Sequence, residues 1–111
     1  MAYQEKQLGQ ARDNDTDAHS VYSPAVGVTA IITTIVLANT STSSAEVSVY
    51  IDDDGTTYNE STCLASTILI AAKSSEVIMG FFPMNNSAGN LAYKQETANA
   101  ITITVFGTEI S

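Results

Sequence analysis

Val28-Thr29-Ala30-Ile31-Ile32-Thr33-Thr34-Ile35-Val36-Leu37-Ala38 is the stretch that decides the class of this chain. Most of it is β-branched: Val28, Thr29, Ile31, Ile32, Thr33, Thr34, Ile35 and Val36. Such side chains lose rotamer freedom against the preceding turn of a helix and pack well on a pleated surface. The stretch is therefore a strand. Apolar residues fall on both parities, which predicts a central strand covered on both faces.

Outward from this strand, turns and further strands alternate. On the C-terminal side Asn39 to Ser44 is a cluster of turn residues. In the next segment Val47, Val49 and Ile51 point one way and Glu46, Ser48 and Tyr50 the other, the period of two that a half-buried strand requires. Asp52-Asp53-Asp54-Gly55 ends it. Thr62 to Ala71 and Glu76 to Phe82 read as two more strands, joined by Ala72-Lys73-Ser74-Ser75, and Pro83 to Asn90 reads as loop. Leu91 to Glu96 alternates weakly. Ala100 to Phe106 alternates strongly, with Ile101, Ile103 and Val105 predicted inward and Thr102, Thr104 and Phe106 outward. On the N-terminal side Pro24-Ala25-Val26-Gly27 punctuates like a turn after Ser20-Val21-Tyr22-Ser23.

Seven or eight strands, with turn signals every eight to twelve residues, predict an antiparallel β-sandwich, jelly-roll-like, with a small closed barrel as the other architecture. Ile101, Ile103 and Val105 are expected to pack against Val47, Val49 and Ile51, across the two sheets or side by side within one. No segment sustains a helical period. The 111 residues make one core, divided into an extended N-terminal arm over residues 1–19 and a sandwich domain over residues 20–111.

Twelve acidic residues against four basic ones leave a net charge of −8. Lys6, Arg12, Lys73 and Lys94 form no cluster, so neither nucleic acid nor an anionic membrane surface is an expected partner. The first residues lack an apolar core segment of the kind that directs export, and Val26 to Ala38 is too short and too broken to cross a bilayer. A cytoplasmic site of synthesis is expected.

Candidate chemistry is sparse. A lone Cys63 in a strand reads as a small buried hydrophobe. Asp52, Asp53 and Asp54 are the weak candidates for a cation site. Contiguous carboxylates at a strand end point in different directions, however, and Asp54-Gly55 is a turn dipeptide. His19 has no Gly-x-Ser-x-Gly elbow to serve. With no phosphate loop and no metal-spaced Cys/His set, neither a catalytic role nor a cofactor is expected.

Two features point to contacts. In Phe81-Phe82-Pro83-Met84 adjacent aromatics on a strand must face opposite ways, so one of Phe81 and Phe82 enters the core and the other faces a neighbour or solvent. The acidic, aperiodic Ala11 to Ala18 has almost no apolar surface to set against the ordering of its backbone, about 1–2 kcal/mol per residue. An arm running from Gln4 to Gln10 is therefore expected to lie along another subunit's strand edge or groove. Gln4, Leu8, Gln10 and Arg12 are its contact residues, and residues 1–17 are expected to be dispensable for folding.

The order of segments is also familiar. Leu8-Gly9-Gln10 is followed by Val21-Tyr22-Ser23-Pro24-Ala25-Val26-Gly27-Val28-Thr29-Ala30, then by Ala38-Asn39-Thr40, the Asp52-Asp53-Asp54-Gly55 strand end and a closing Ile103-Thr104-Val105-Phe106-Gly107-Thr108-Glu109-Ile110. This resembles the small β-sandwich virion proteins of tailed bacteriophages, with Val26 between Ala25 and Gly27 as a one-residue departure. The resemblance implies a capsid decoration (cement) protein on the outer surface of the virion, made in the host cytoplasm. It would contact the major capsid protein or neighbouring subunits as a homo-oligomer, a trimer favoured. The other class it implies is a tail-tip or head-fibre module that binds host surface carbohydrate or protein. Exposed aromatics in a concave site would mark the second, and flat apolar patches with an ordered arm the first.

Overall fold

In the computed structural model, which describes residues 3–111, eight strands carry almost all of the regular structure. They are β1 (Tyr3–Ala11), β2 (His19–Tyr22), β3 (Thr29–Asn39), β4 (Ala45–Asp52), β5 (Cys63–Ile70), β6 (Ser75–Met84), β7 (Asn90–Gln95) and β8 (Ile101–Ile110). One 3-10 turn, Glu60–Thr62, precedes β5.

The strands form two four-stranded sheets, the first in the order β1-β8-β3-β6 and the second β2-β7-β4-β5. β1 pairs with β8, β2 with β7, β3 with β6 and β4 with β5, all antiparallel. The chain is thus one long hairpin rolled up, closed by the β3–β8 and β4–β7 pairings. That order is a jelly roll, the sandwich expected from the strand count.

The core lies between the sheets. Ile32, Ile35, Leu37, Ile101, Ile103 and Val105 come to it from the first sheet, and Val47, Val49, Leu91 and Tyr93 from the second, all fully buried. Ile51 joins the same cluster half-buried. Burying each such aliphatic side chain contributes about 1.5–3 kcal/mol.

The covering of β3 differs from expectation. Its buried residues are Ala30 and Ile32, then Ile35, Leu37 and Asn39, and the intervening side chains are half-buried. The parity flips at Thr33, the residue that β3 has in excess of β8 between Ile32 and Thr34. The bulges continue across the sheet at the same level. β1 carries Leu8 in excess of β8, and β6 carries an extra residue at Gly80–Phe81. Apolar side chains on both parities thus reflect a bulge, which hands the core-facing role from even to odd positions.

Two boundaries also move. Pro83 lies inside β6, not in a loop. A strand can hold a proline there because β6 is a sheet edge and its outer side needs no ladder donor. Residues 3–11, placed by sequence in an arm docked on a neighbour, are extended, but their partner is β8 of the same chain. The assignment of residues 1–19 to an arm therefore gives way to β1, an edge strand of the first sheet, followed by a short loop and then β2; residues 1 and 2 lie outside the described residues. Leu8 supplies the apolar anchor by packing against the core.

The turn before β3 absorbs Val26. The Val28 N–H bonds the Ala25 carbonyl at 3.1 Å, and Gly27 takes the left-handed conformation, φ +81°, that the third position of such a turn demands.

Candidate functional site

Asp52 and His19, the residues with the most chemical potential, each have local structural partners. Asp52 is buried at the end of β4, where its carboxylate accepts the Thr57 N–H at 2.8 Å and the Asp54 N–H at 3.2 Å. Those backbone donors hold its pKa below the usual aspartate value, while the neighbouring Asp52 carboxylate raises that of Asp54. Asp52 closes its turn. Among the described residues no three His, Cys, Asp or Glu side chains are grouped to hold a metal ion.

His19 hydrogen-bonds Asp15 Oδ1 through Nε2 at 2.7 Å, with Asp13 Oδ2 3.8 Å away. Its pKa is raised, first by the Asp15 hydrogen bond and then by the negative field of Asp13, Asp15 and Asp17. The partners are carboxylates alone, an arrangement that stabilises imidazolium and does not prepare a nucleophile. Cys63 is a free, half-buried thiol beside Tyr50 in the β4–β5 ladder.

The acidic loop after β1 is held by a residue that sequence reading passed over. Gln95 is fully buried at the end of β7. Its amide nitrogen donates to the carbonyls of Asp13 and Asp15 at 2.7 and 2.9 Å, and its amide oxygen accepts the N–H groups of Ala100 and Ile101. The Asp13 N–H adds a bond to the buried Tyr93 phenol oxygen, and Arg12 Nη2 donates to the Asn99 carbonyl. Hydrogen bonds to its own second sheet thus order a segment that has no apolar surface. A buried glutamine leaves no mark in a hydrophobic pattern.

The arm residues also have intramolecular places. Gln10 Nε2 donates to Thr104 Oγ1 at 3.0 Å, and Gln4 lies opposite Glu109 in the β1–β8 register. Of the aromatic pair, Phe82 turns inward against the core while Phe81 is 68% exposed.

Phe81 belongs to a larger surface. The pairing registers place Val77, Met79 and Pro83 of β6 on the outer side of the first sheet, and the exposed Phe81, opposite in alternation to the inward Phe82, shares it. Ile31, Thr33, Thr34 and Val36 of β3 share that side, as do Thr102, Thr104, Phe106, Thr108 and Ile110 of β8. Tyr3, Glu5, Gln7 and Gln10 of β1 complete it. Met79 is 75% and Tyr3 66% exposed. Of the twelve acidic residues, Glu5 alone projects from this face; the others lie in loops, on the second sheet, along the sheet edges or between the sheets. The alternation of Val77, Met79 and Phe81 was a legible signal for it. At the β1 end a shallow open groove of about 550 Å³ runs between Tyr3 and Phe106, lined also by Glu5, Lys6, Gln7, Thr33, Gly107 and Thr108.

A scan against protein-family models finds none that matches this chain, and a search of curated proteins finds no match by sequence.

Proposed function

We propose that this chain is a structural protein that works by docking on a neighbouring subunit of a virus particle, as a decoration protein on the outer surface of a capsid, and that it performs no catalysis. The observation that carries this reading is the outer face of the first sheet. On a domain of net charge −8 it is a broad surface of valine, isoleucine, methionine, phenylalanine and threonine with one carboxylate. Contiguous exposed apolar surface of this kind marks contact sites in soluble proteins. The fold supports the reading by analogy, since jelly rolls recur in viral capsid domains and also in lectins.

The test is made on the particle. Cryo-electron microscopy of virions should place the chain with this face against a neighbour, and Phe81→Glu and Met79→Glu chains should lose occupancy on stripped particles while melting like the native chain. Full occupancy of both variants would exclude the face as the docking surface.

A second reading has its own observation. The Tyr3–Phe106 groove sets two exposed aromatics beside the hydroxyl and amide side chains of Thr33, Thr108 and Gln7 and the charged Glu5 and Lys6, the chemistry suited to a sugar of a host surface and hence to a tail-tip or head-fibre module. Shifts of the Tyr3 and Phe106 ring resonances on titration with neutral oligosaccharides would favour it; unmoved resonances leave the decoration role.

A further inference from the structure

The proposed decoration role leaves the neighbour unspecified, and the charge pattern of the surface selects it. Three kinds of partner were open: a basic subunit, a strand added to a sheet edge, and a second copy of this chain.

A basic partner would gain from carboxylates in its footprint, because complementary charge steers and orients docking. Here carboxylates are cleared from the surface, although the chain has twelve of them to place. Removing them serves a partner of the same sign. Two copies, each of net charge −8, repel wherever their acidic loops approach. They meet without that cost on the outer face of the first sheet.

Strand addition at β6 is opposed by the strand itself. Pro83 offers no N–H, and the Gly80–Phe81 bulge breaks the regular edge; both are devices that block edge pairing. The edge is guarded and the face beside it is open.

The size fits as well. The 11 residues of β3 and four strands at ordinary spacing describe a face of roughly 36 by 19 Å, or about 700 Å² per partner. Stable specific complexes bury about 800 Å² on each side.

We infer that the outer face of the first sheet is a homodimer interface, on which a second copy of this chain packs sheet against sheet across a two-fold axis, with Met79, Phe81 and Val77 of β6 and Phe106 of β8 in the contact. The inference rests on the docking role proposed above for that face. A flat surface that closes on its own copy calls for two subunits, where the resemblance to decoration proteins implies three.

The experiment is sedimentation velocity of the full-length chain over a concentration series at about 0.15 M salt, paired with disulfide trapping. Thr34→Cys, at the centre of the face, is introduced with Cys63→Ser; Glu46→Cys, on the outer side of the second sheet, is the control. The native chain is expected to sediment as a monomer–dimer equilibrium. Phe81→Glu should weaken it at least about tenfold, the scale of an interface hot spot. Met79→Glu gives an independent reading if Phe81→Glu melts early. Oxidation should link the Thr34→Cys chain into dimers and leave the Glu46→Cys chain monomeric. A chain that stays monomeric, a trimer, or a dimer unmoved by both substitutions overturns the inference. The particle experiment separates the two proposals. If the native chain is monomeric but the variants still lose occupancy, the docking role stands with a different neighbour. If the variants keep full occupancy, the docking role itself fails at this face.

Discussion

The Tyr22 phenol donates a hydrogen bond to Glu109 Oε2 at 2.6 Å, joining β2 of the second sheet to β8 of the first. Lys6 of β1 closes on the other oxygen of the same carboxylate at 2.8 Å. One side chain thus links both sheets and the first strand where the sandwich opens. The donors hold the Glu109 pKa below its ordinary value, Lys6 contributing most. Burial and the adjacent carboxylate raise that of Tyr22.

Tyr22→Phe keeps the ring and removes the donor. It should lower stability by about 1–2 kcal/mol in urea unfolding, less than the full value of a charged hydrogen bond because the carboxylate is partly solvated. The pH dependence has a defined sign. A folded-state pKa below the unfolded one, about 4.3 for glutamate, gives stability that is present in full above that value and lost as pH falls through the folded pKa. The gap in stability between the native chain and Glu109→Gln should therefore narrow as pH falls below about 4. A constant gap would show that the carboxylate charge plays no part.

Gln95 makes four hydrogen bonds from a fully buried position. Gln95→Leu fills the space but leaves the Ala100 and Ile101 N–H groups without an acceptor, at a cost of roughly 2–4 kcal/mol. Amide exchange should also accelerate across residues 12–18, the loop that Gln95 holds, with less change in β3.

A Cβ at Gly107 would collide with the Ile31 carbonyl oxygen. The obstacle is the backbone of a central strand, next to the Thr33 bulge, so no side-chain rotation relieves it. Gly107→Ala is expected to cost about 1–3 kcal/mol, the usual range for overpacking, read as a lower midpoint with an unchanged denaturant slope.

Removal of residues 1–11 takes away β1 and the core contact of Leu8, and leaves β8 as a bare sheet edge. The truncated chain should melt lower and aggregate more readily than the full chain. Equal melting would mean that β1 is an accessory to the domain and not one of its strands.

His19 should titrate above the usual histidine value by proton NMR, and Asp15→Asn should return it most of the way, since the Asp15 hydrogen bond is the largest cause of the shift. The pair's contribution to stability is present in full below the unfolded histidine pKa and fades as pH rises through the folded one. A native titration at the ordinary value would show that the ion pair does not persist in solution.

Local periodicity made the class and much of the core legible. Period two is written residue by residue, so Val47, Val49, Ile101, Ile103 and Val105 were identified as inward without knowledge of their partners, and all five are fully buried. The turns were readable for the same reason, because Gly27 and the Asp-Gly step act over three or four residues.

What tertiary structure decided is non-local. Whether β1 lies on a neighbour or on its own chain depends on pairing Tyr3 with Ile110, more than a hundred positions away in sequence, and no local propensity encodes that. The bulge at Thr33 is invisible until β8 is laid beside β3, so a parity shift looked like two covered faces. Gln95 is a polar residue on the inward parity of Leu91 and Tyr93, and only the convergence of residues 13, 15, 100 and 101 explains how its amide is satisfied there. The neutral face exists for the same reason: its residues come from four strands spread along the whole chain, and only folding sets them side by side while sending all but one of the carboxylates elsewhere.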